Sequence, residues 1–230
     1  MKKSLFIFGC SGTAKSIIDS IDRCKNVQYR QIFFVDINLE LKGLKFYGYP
    51  IVHLDDLCEM QTKDHHVIFA YFKPKDIVSR NQFIEEIINK YCFKLKTVID
   101  PLAYLSPTAK IGKGCYIAPH VYLDSECSIA DNTIILFQTT ISRDVCIDKS
   151  CFISAGCTIK GGVKIMDSCF IGANVSIIKD IKASCFINSM TAVNFIVTET
   201  CIIYSKSQAA KISLSRDRER AIKQLEKIGS

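Results

Sequence analysis

The chain has 230 residues, 48% of them hydrophobic and 23% charged, which is enough apolar material to bury the core of one large domain or two small ones. Its formal charge of +7 is mild, and the lysines and arginines are scattered. That pattern suits small anionic ligands and argues against a nucleic-acid groove. No apolar run approaches the roughly eighteen residues that a membrane helix needs.

From the N-terminus, "MKKSLFIFGCSG" places two lysines before an apolar run that ends at Phe8 in a glycine turn, so it reads as a buried strand and not as a signal peptide. The next elements in order are a helix over Thr13–Cys24, a strand in "RQIFFVD", a strand in "HHVIFAYF" and a helix over residues 74–90. A last strand, "KTVID", precedes Pro101, and His53, His65 and His66 are expected at surface positions at strand and helix ends. Alternation of strand and helix predicts a small parallel α/β sheet over residues 1–100. The turn Gly9 to Lys15, "GCSGTAK", leads from the first strand into the first helix, where free N–H groups of Ser11, Gly12 and Thr13 can hold a phosphate. Asp36 ends the second strand, where a carboxylate can accept hydrogen bonds from a ribose or a base. Gly9, Gly12 and Ala14 give G-x-x-G-x-A and not G-x-G-x-x-G, so a dinucleotide such as NAD is not expected.

Past Pro101 a beat of six residues takes over. Aliphatic residues stand at Ile111, Ile117, Leu123, Ile129, Ile135, Ile141, Ile147, Ile153, Ile159, Ile165, Ile171 and Ile177, and the beat resumes after a four-residue slip at Ile181, Ile187 and Val193. Two residues before each of the first twelve beats stands a small or β-branched residue, and with Cys185 ahead of Ile187 that residue is six times a cysteine. Spacing of two puts both side chains on one face of a short strand. A hexapeptide period predicts a parallel β-helix whose stacked coils bury one column that no single repeat could bury alone. Isoleucine fills that column with cysteine beside it as a small buried hydrophobe. This use of cysteine explains half of the twelve without disulfides or metal; Cys146 and Cys151 alone approach zinc-ligand spacing, and no second pair follows. A soluble, reduced, cytoplasmic protein with no metal site is the expectation.

After the β-helix, residues 205–230 carry Leu214, Ala221, Ile222, Leu225 and Ile228 on one face of a charged amphipathic helix.

The segments "FGCSGTAKSIIDSI", "FFVD", "GYPIVHLDDL", "VIDPLAYLSPTAKIGKG" and "ISAGCTIKGGVKIMDSCFIGANVSII" together resemble the PglD/NeuD-like sugar acyltransferases. The resemblance implies a Rossmann-like nucleotide-sugar domain over residues 1–100, a left-handed β-helix for acetyl-CoA over 101–204, and a homotrimer with active sites between neighbouring β-helices. It also implies acetyl transfer to a nucleotide-linked amino sugar, an amino-dideoxy sugar for bacterial surface glycans. Gly161 and Ala173, carried over by position, would meet acetyl-CoA together with Thr191 and Lys211, and Gly9, Ser11, Gly12, Thr13, Asp36 and Phe152 would meet the nucleotide-sugar. Lys211 lies in "SQAAK", where the family has Gly-x-Pro-Ala-Lys.

One departure stands out. In "IILFQTTISRDVCID" Arg143 occupies the place of the family's histidine base, Leu136 that of an asparagine and Asp148 that of a glycine, while Phe152 takes the place of a second histidine. A guanidinium offers donors only, so Arg143 is expected to orient substrate or hold an oxyanion instead of accepting a proton. Asp144, if desolvated, and His120, the sole histidine of the β-helix segment, are the candidate bases. N-acetylation of an amine that enters neutral needs neither. O-acetylation of a sugar and a non-catalytic sugar-nucleotide binding protein are the alternatives.

Overall fold

The computed structural model describes residues 3–24, 28–60, 65–71, 77–198 and 202–203. Lys211, the "SQAAK" turn and the expected terminal helix lie outside them.

The first part is a six-stranded sheet. In chain order its elements are β1 (Leu5–Phe8), α1 (Gly12–Arg23), β2 (Ile32–Asp36), β3 (Lys45–Phe46), β4 (Tyr49–His53), β5 (His66–Phe69), α2 (Ile77–Tyr91) and β6 (Lys94–Leu95), and the spatial order is β3-β4-β2-β1-β5-β6. β1 runs parallel to both β2 and β5, and all four of its residues are buried, as a strand covered on both faces requires. Ser11 caps α1 by accepting from the Ala14 N–H at 3.2 Å, and Ala14, Ile17, Ile18 and Ile21 form the buried stripe of that helix. β3 and β4 form the sheet's one antiparallel pair, joined by Tyr47 and Gly48, both with positive φ (51° and 84°) as a tight two-residue turn demands. The hairpin docks on α1, with Tyr47 Oη donating to Asp19 at 2.7 Å and the Lys15 ammonium 5.3 Å from the Phe46 ring centroid.

From Val98 onward the chain winds into stacked coils of three two-residue strands each. The strands fall into three parallel faces. The first contains Val98–Ile99, Tyr116–Ile117, Ile134–Ile135, Phe152–Ile153, Phe170–Ile171, Phe186–Ile187 and Ile202–Ile203; the second runs from Tyr104–Leu105 to Ala192–Val193, and the third from Lys110–Ile111 to Lys164–Ile165. Within a face the register is eighteen residues, as in Ile135 beside Ile153 beside Ile171. The expected slip after Ile177 shows as a shortened coil that sets Ile181 sixteen residues from Ile165, and a second such step sets Val197 beside Ile181. The first strand, Val98–Ile99, already pairs within the β-helix just ahead of Pro101.

Each beat residue from Leu123 to Val193 is buried in the column, and so are the cysteines and threonines two positions earlier. These small residues do more than fill space. Sγ of Cys115, Cys127, Cys151 and Cys157 and Oγ1 of Thr133 and Thr139 all donate to the carbonyl fifteen residues on, at 3.0–3.2 Å. Cysteine and threonine are therefore alternatives for one position that satisfies a corner carbonyl from inside. Burial pushes the Cys115 thiol up to about 12 and Cys157 to about 11, so the column holds neutral S–H donors. The eleven described cysteines are free.

The two halves meet in a buried polar cluster. The Asp100 side chain is fully buried and its Oδ2 accepts from Arg23 Nη2 and Ser20 Oγ, both at 2.6 Å, and from Arg23 Nε at 2.9 Å. Its Oδ1 accepts from the Leu102 N–H at 2.9 Å. With its proton committed to Asp100, the Ser20 hydroxyl receives the Tyr116 hydroxyl at 3.0 Å. The end of α1 is thereby fixed to the first coils. α2 contributes a second tie, Asn81 Nδ2 donating to Ser168 Oγ. Among the described residues no helix is long and apolar enough to cross a membrane.

Candidate functional site

In an open parallel sheet, ligands collect at the carboxyl ends of the strands, where successive loops diverge. Here that edge holds a cavity of about 270 Å³. Phe8 and Gly9 line it from the end of β1, Val35, Asp36 and Ile37 from the end of β2, Tyr71 from beyond β5, and Arg80 and Phe83 from α2. The walls are mostly apolar, and the polar groups come from opposite sources, an acidic strand end and a basic helix.

Gly9 explains how the walls close. Its φ is +95°, and a Cβ there would stand 2.8 Å from the Tyr71 Cβ and 3.3 Å from the Tyr71 nitrogen. Only glycine lets the turn and Tyr71 approach this closely. Gly9→Ala is therefore expected to lower the unfolding free energy by more than the roughly 1–2 kcal/mol of backbone conformation alone, read as a fall in the urea midpoint, whereas Gly43→Ala, at φ +79° but with open space around its Cβ, should carry the backbone cost without the clash.

The turn expected to hold a phosphate is formed, and Ser11 is already engaged within it. Its hydroxyl donates to the Ala70 carbonyl at 3.0 Å while capping α1, so it ties the turn to β5. The N–H groups of Gly12 and Thr13 precede the first bond of the helix, Lys15 N–H to Ser11 O, and stay available at its positive end. Asp36 uses Oδ1 to accept the Asn38 N–H at 3.0 Å. Cys10 is pushed up to about 11, by burial first and then by the Asp36 charge, and is no nucleophile.

Three site residues escaped sequence reasoning. Arg80 is 3% exposed and donates Nε to the Tyr71 carbonyl at 2.8 Å; burial lowers it to about 10, so it stays protonated near neutral pH. Tyr71 was placed only as the end of an apolar run. His53, expected at the surface, is buried instead: its Nδ1 accepts the Asp55 N–H, which leaves the proton on Nε2 to reach the Ile37 carbonyl at 3.1 Å and steady the cavity lip.

The β-helix candidates occupy different corners. Arg143 and Asp144 are exposed on the corner after the second face, between Ser125 below and Gly161–Gly162 above; Asp144 N–H donates to the Ser125 carbonyl and Gly162 N–H to the Arg143 carbonyl, each at 3.0 Å. A Cβ on Gly161 would lie 3.1 Å from the Arg143 carbonyl oxygen, so the stack is tight. His120 sits on the preceding corner, with Gln138, Gly156, Asn174 and Met190 stacked above it and φ values of 55–71°. Ala173 shares that corner and donates no backbone bond to the neighbouring coil's strands, its N–H going to Ser189 Oγ at 3.1 Å; Thr191 follows it, buried. Within one chain Gly161 and Ala173 therefore flank a face and do not meet. Phe152 faces outward from the first face, 8% exposed and stacked on Phe170 at 5.4 Å, away from Arg143. Among the described residues no cluster of His, Cys, Asp and Glu could hold a metal ion.

Residues 4–71 match the family model of the PglD N-terminal domain, and residues 96–199 match that of the GMPPB C-terminal domain. Among solved structures, the acetyltransferase domain of PglB from Neisseria gonorrhoeae in complex with acetyl coenzyme A is 20% identical, with a TM-score of 0.77 over 88% of this chain and 96% of that one. WeeI from Acinetobacter baumannii is 19% identical, with a TM-score of 0.75 over 87% and 96%. PerB from Caulobacter crescentus, in complex with CoA and GDP-perosamine, is 18% identical, with a TM-score of 0.61 over 86% and 92%. At these identities the likeness is one of fold. No curated protein matches the chain by sequence.

Proposed function

From the premise that the chain is PglD-like, with a PglD N-terminal domain at residues 4–71 and the fold of that family, we propose that it transfers acetyl from acetyl-CoA to the amine of a nucleotide-linked sugar. The observation that carries this reading is the joining, in one chain, of an apolar-walled cavity at the strand ends to a hexapeptide β-helix, at a relation fixed by Arg23–Asp100. A cavity of this kind suits a nucleotide, with its diphosphate at the Gly12–Thr13 N–H groups. Acetyl-CoA would lie along the β-helix beside Gly161, with Ala173 and Thr191 contributed across a subunit boundary, because one chain keeps them on separate corners. That separation favours a homotrimer, as does the second face, whose outward residues are the stacked pair Tyr104 and Tyr122 followed by Thr140, Thr158, Ser176 and Ala192. Lys211 would meet a CoA phosphate.

The chemistry follows from what stands at the exposed corner. Arg143 can donate to a developing oxyanion or to the sugar and cannot take a proton. The amine must then enter neutral, and positioning beside the thioester supplies the rate. Asp144 is exposed, a poor setting for a base that needs desolvation. His120 serves as corner residue in this reading, and Phe152 as packing.

The test is release of free CoA thiol when the full-length chain meets acetyl-CoA and UDP-, dTDP- or GDP-linked amino sugars, with sedimentation at about three times 25.9 kDa. Arg143→Ala is expected to lower kcat by about 10²-fold, the loss typical of one oxyanion donor, with the pH profile still following the substrate amine. Loss of all turnover in Asp144→Asn or His120→Asn, with both ligands still bound, would instead identify the base. A trimer that binds CoA and acetylates no amino sugar would be a binding protein.

A further inference from the structure

Charges that lie far apart in the sequence are gathered by the sheet along the edge opposite the cavity. We propose that this edge, formed by the amino ends of β1, β2, β5 and β6, is a docking surface for an anionic lipid bilayer, with Lys3, Arg30 and Lys96 as its cationic contacts.

Strand register does the gathering. Leu5 stands beside Ile32 and beside His66, and His66 beside Lys94. Two residues before Leu5 and Ile32, Lys3 and Arg30 are neighbours, joined by the Arg30 N–H to the Lys3 carbonyl at 2.9 Å. Two residues after Lys94, the Lys96 N–H reaches the Val67 carbonyl at 2.8 Å. Side chains alternate along a strand, so Lys3, Arg30, His66 and Lys96 leave the same face of the sheet.

The sequence leading into these strand ends is one-sided in charge. Residues 1–4, 25–31, 61–65 and 92–96 hold seven lysines and arginines and one acidic residue, Asp64. Among the described residues no carboxylate lies within ion-pair distance of Lys3, Arg30 or Lys96. The half-buried His66 reports the resulting field. Its Nδ1 is 3.2 Å from the Tyr29 hydroxyl, and burial first, then the charges of Lys3, Lys96, His65 and Lys94, push the imidazole down to about 4. Like charges held this close repel, and an anionic surface relieves the repulsion.

The spread of the cations favours a surface over a small ligand. Four neighbouring strand ends at about 4.8 Å spacing span roughly 14 Å, far wider than one phosphate group. A bilayer with anionic headgroups asks for four to eight basic side chains near one plane and for no convergent geometry. The cavity and the Gly12–Thr13 N–H groups lie at the carboxyl ends of the same strands, so a bilayer docked at the amino ends leaves them open to solution.

The experiment is co-sedimentation of the full-length chain with vesicles of phosphatidylglycerol and phosphatidylcholine in equal parts, and with vesicles of phosphatidylcholine alone. Binding is expected only to the first, and it should fade at about 1 M salt, where the screening length is about 3 Å. Reversing Lys3, Arg30 and Lys96 together to Glu should weaken it about tenfold or more. Reversing Lys110, Lys164 and Lys182, exposed lysines of the β-helix, makes the same change in net charge and should weaken it far less. If the first triple variant does not fold, as its urea midpoint would show, the triple change to Gln carries the same comparison. Equal binding to both vesicles, no binding to either, or an equal loss in the two triple variants overturns the proposal. So does tighter binding to a DNA duplex than to the anionic vesicles at one salt concentration. The acetyl-transfer reading stands apart from all of these outcomes.

Discussion

Asp100→Ala is expected to lower the unfolding free energy by about 3 kcal/mol, the lower end for breaking a buried ion pair, because Arg23 can turn part of its guanidinium to water once released. The carboxylate is fully buried and serves donors from three residues, Ser20, Arg23 and Leu102. Its loss leaves Ser20 and the Tyr116 hydroxyl without the acceptor that orders them. Arg23→Ala should cost at least as much, because it strips the counter-charge and two hydrogen bonds from a carboxylate that stays fully buried. Burial raises the Asp100 carboxyl, but the hydrogen bonds from Arg23, Ser20 and the Leu102 N–H outweigh it and leave the group below the ordinary carboxylate value. The sign follows from linkage. The contribution is complete above the unfolded value of about 4 and drains away as the pH falls through the lower folded value, so the native chain and Asp100→Ala should converge in stability in acid. Parallel urea titrations across pH check this, and a constant gap down to strong acid would count against it.

Ile153→Ala is expected to cost about 2–5 kcal/mol, against about 0.5–1.5 kcal/mol for Ile153→Val. Ile153 is fully buried, with Ile135 and Ile171 in register on either side. The parallel ladders fix the backbone above and below, so the coils cannot close over the missing atoms and the cavity stays open. The urea midpoint should fall without a change in slope. Lys164→Ala, at an exposed position on the third face one residue before Ile165 and facing away from the column, is the control and should move the midpoint little.

The β-helix was legible in the sequence because no other regular structure repeats every six residues, and Ile111 to Ile177 carry that repeat through the stacked strands without a miss. What cysteine does inside the column was half legible. Its size was plain, but a donated S–H appears only when the carbonyl fifteen residues on is seen to lie beside it. The β3–β4 hairpin went unread because its turn is Tyr47–Gly48, without the Asn-Gly or Asp-Gly pair that marks such turns. The cavity was legible at Gly9 and Asp36, which sit at strand ends visible in the sequence. Arg80 and Phe83 were not, since a helix reading gives a face and no address; only the order β2-β1-β5 brings α2 over the same strand ends. His53 was misplaced at the surface because the bond to Ile37 joins two separate loops.

The in-register stacking has a consequence for how substitutions combine. In this half of the molecule a residue's immediate chain neighbours point to the opposite side, while the residue one coil away touches it, as Phe152 touches Phe170 and Phe170 touches Phe186. Pairs of mutations should therefore be non-additive at separations of eighteen, shifting to sixteen past Ile165 where the coils shorten, and close to additive at a separation of one. A one-residue deletion inside a coil would be read by every later coil as a change of face, whereas loss of a whole eighteen-residue turn would shorten the stack and leave each remaining contact matched to its kind.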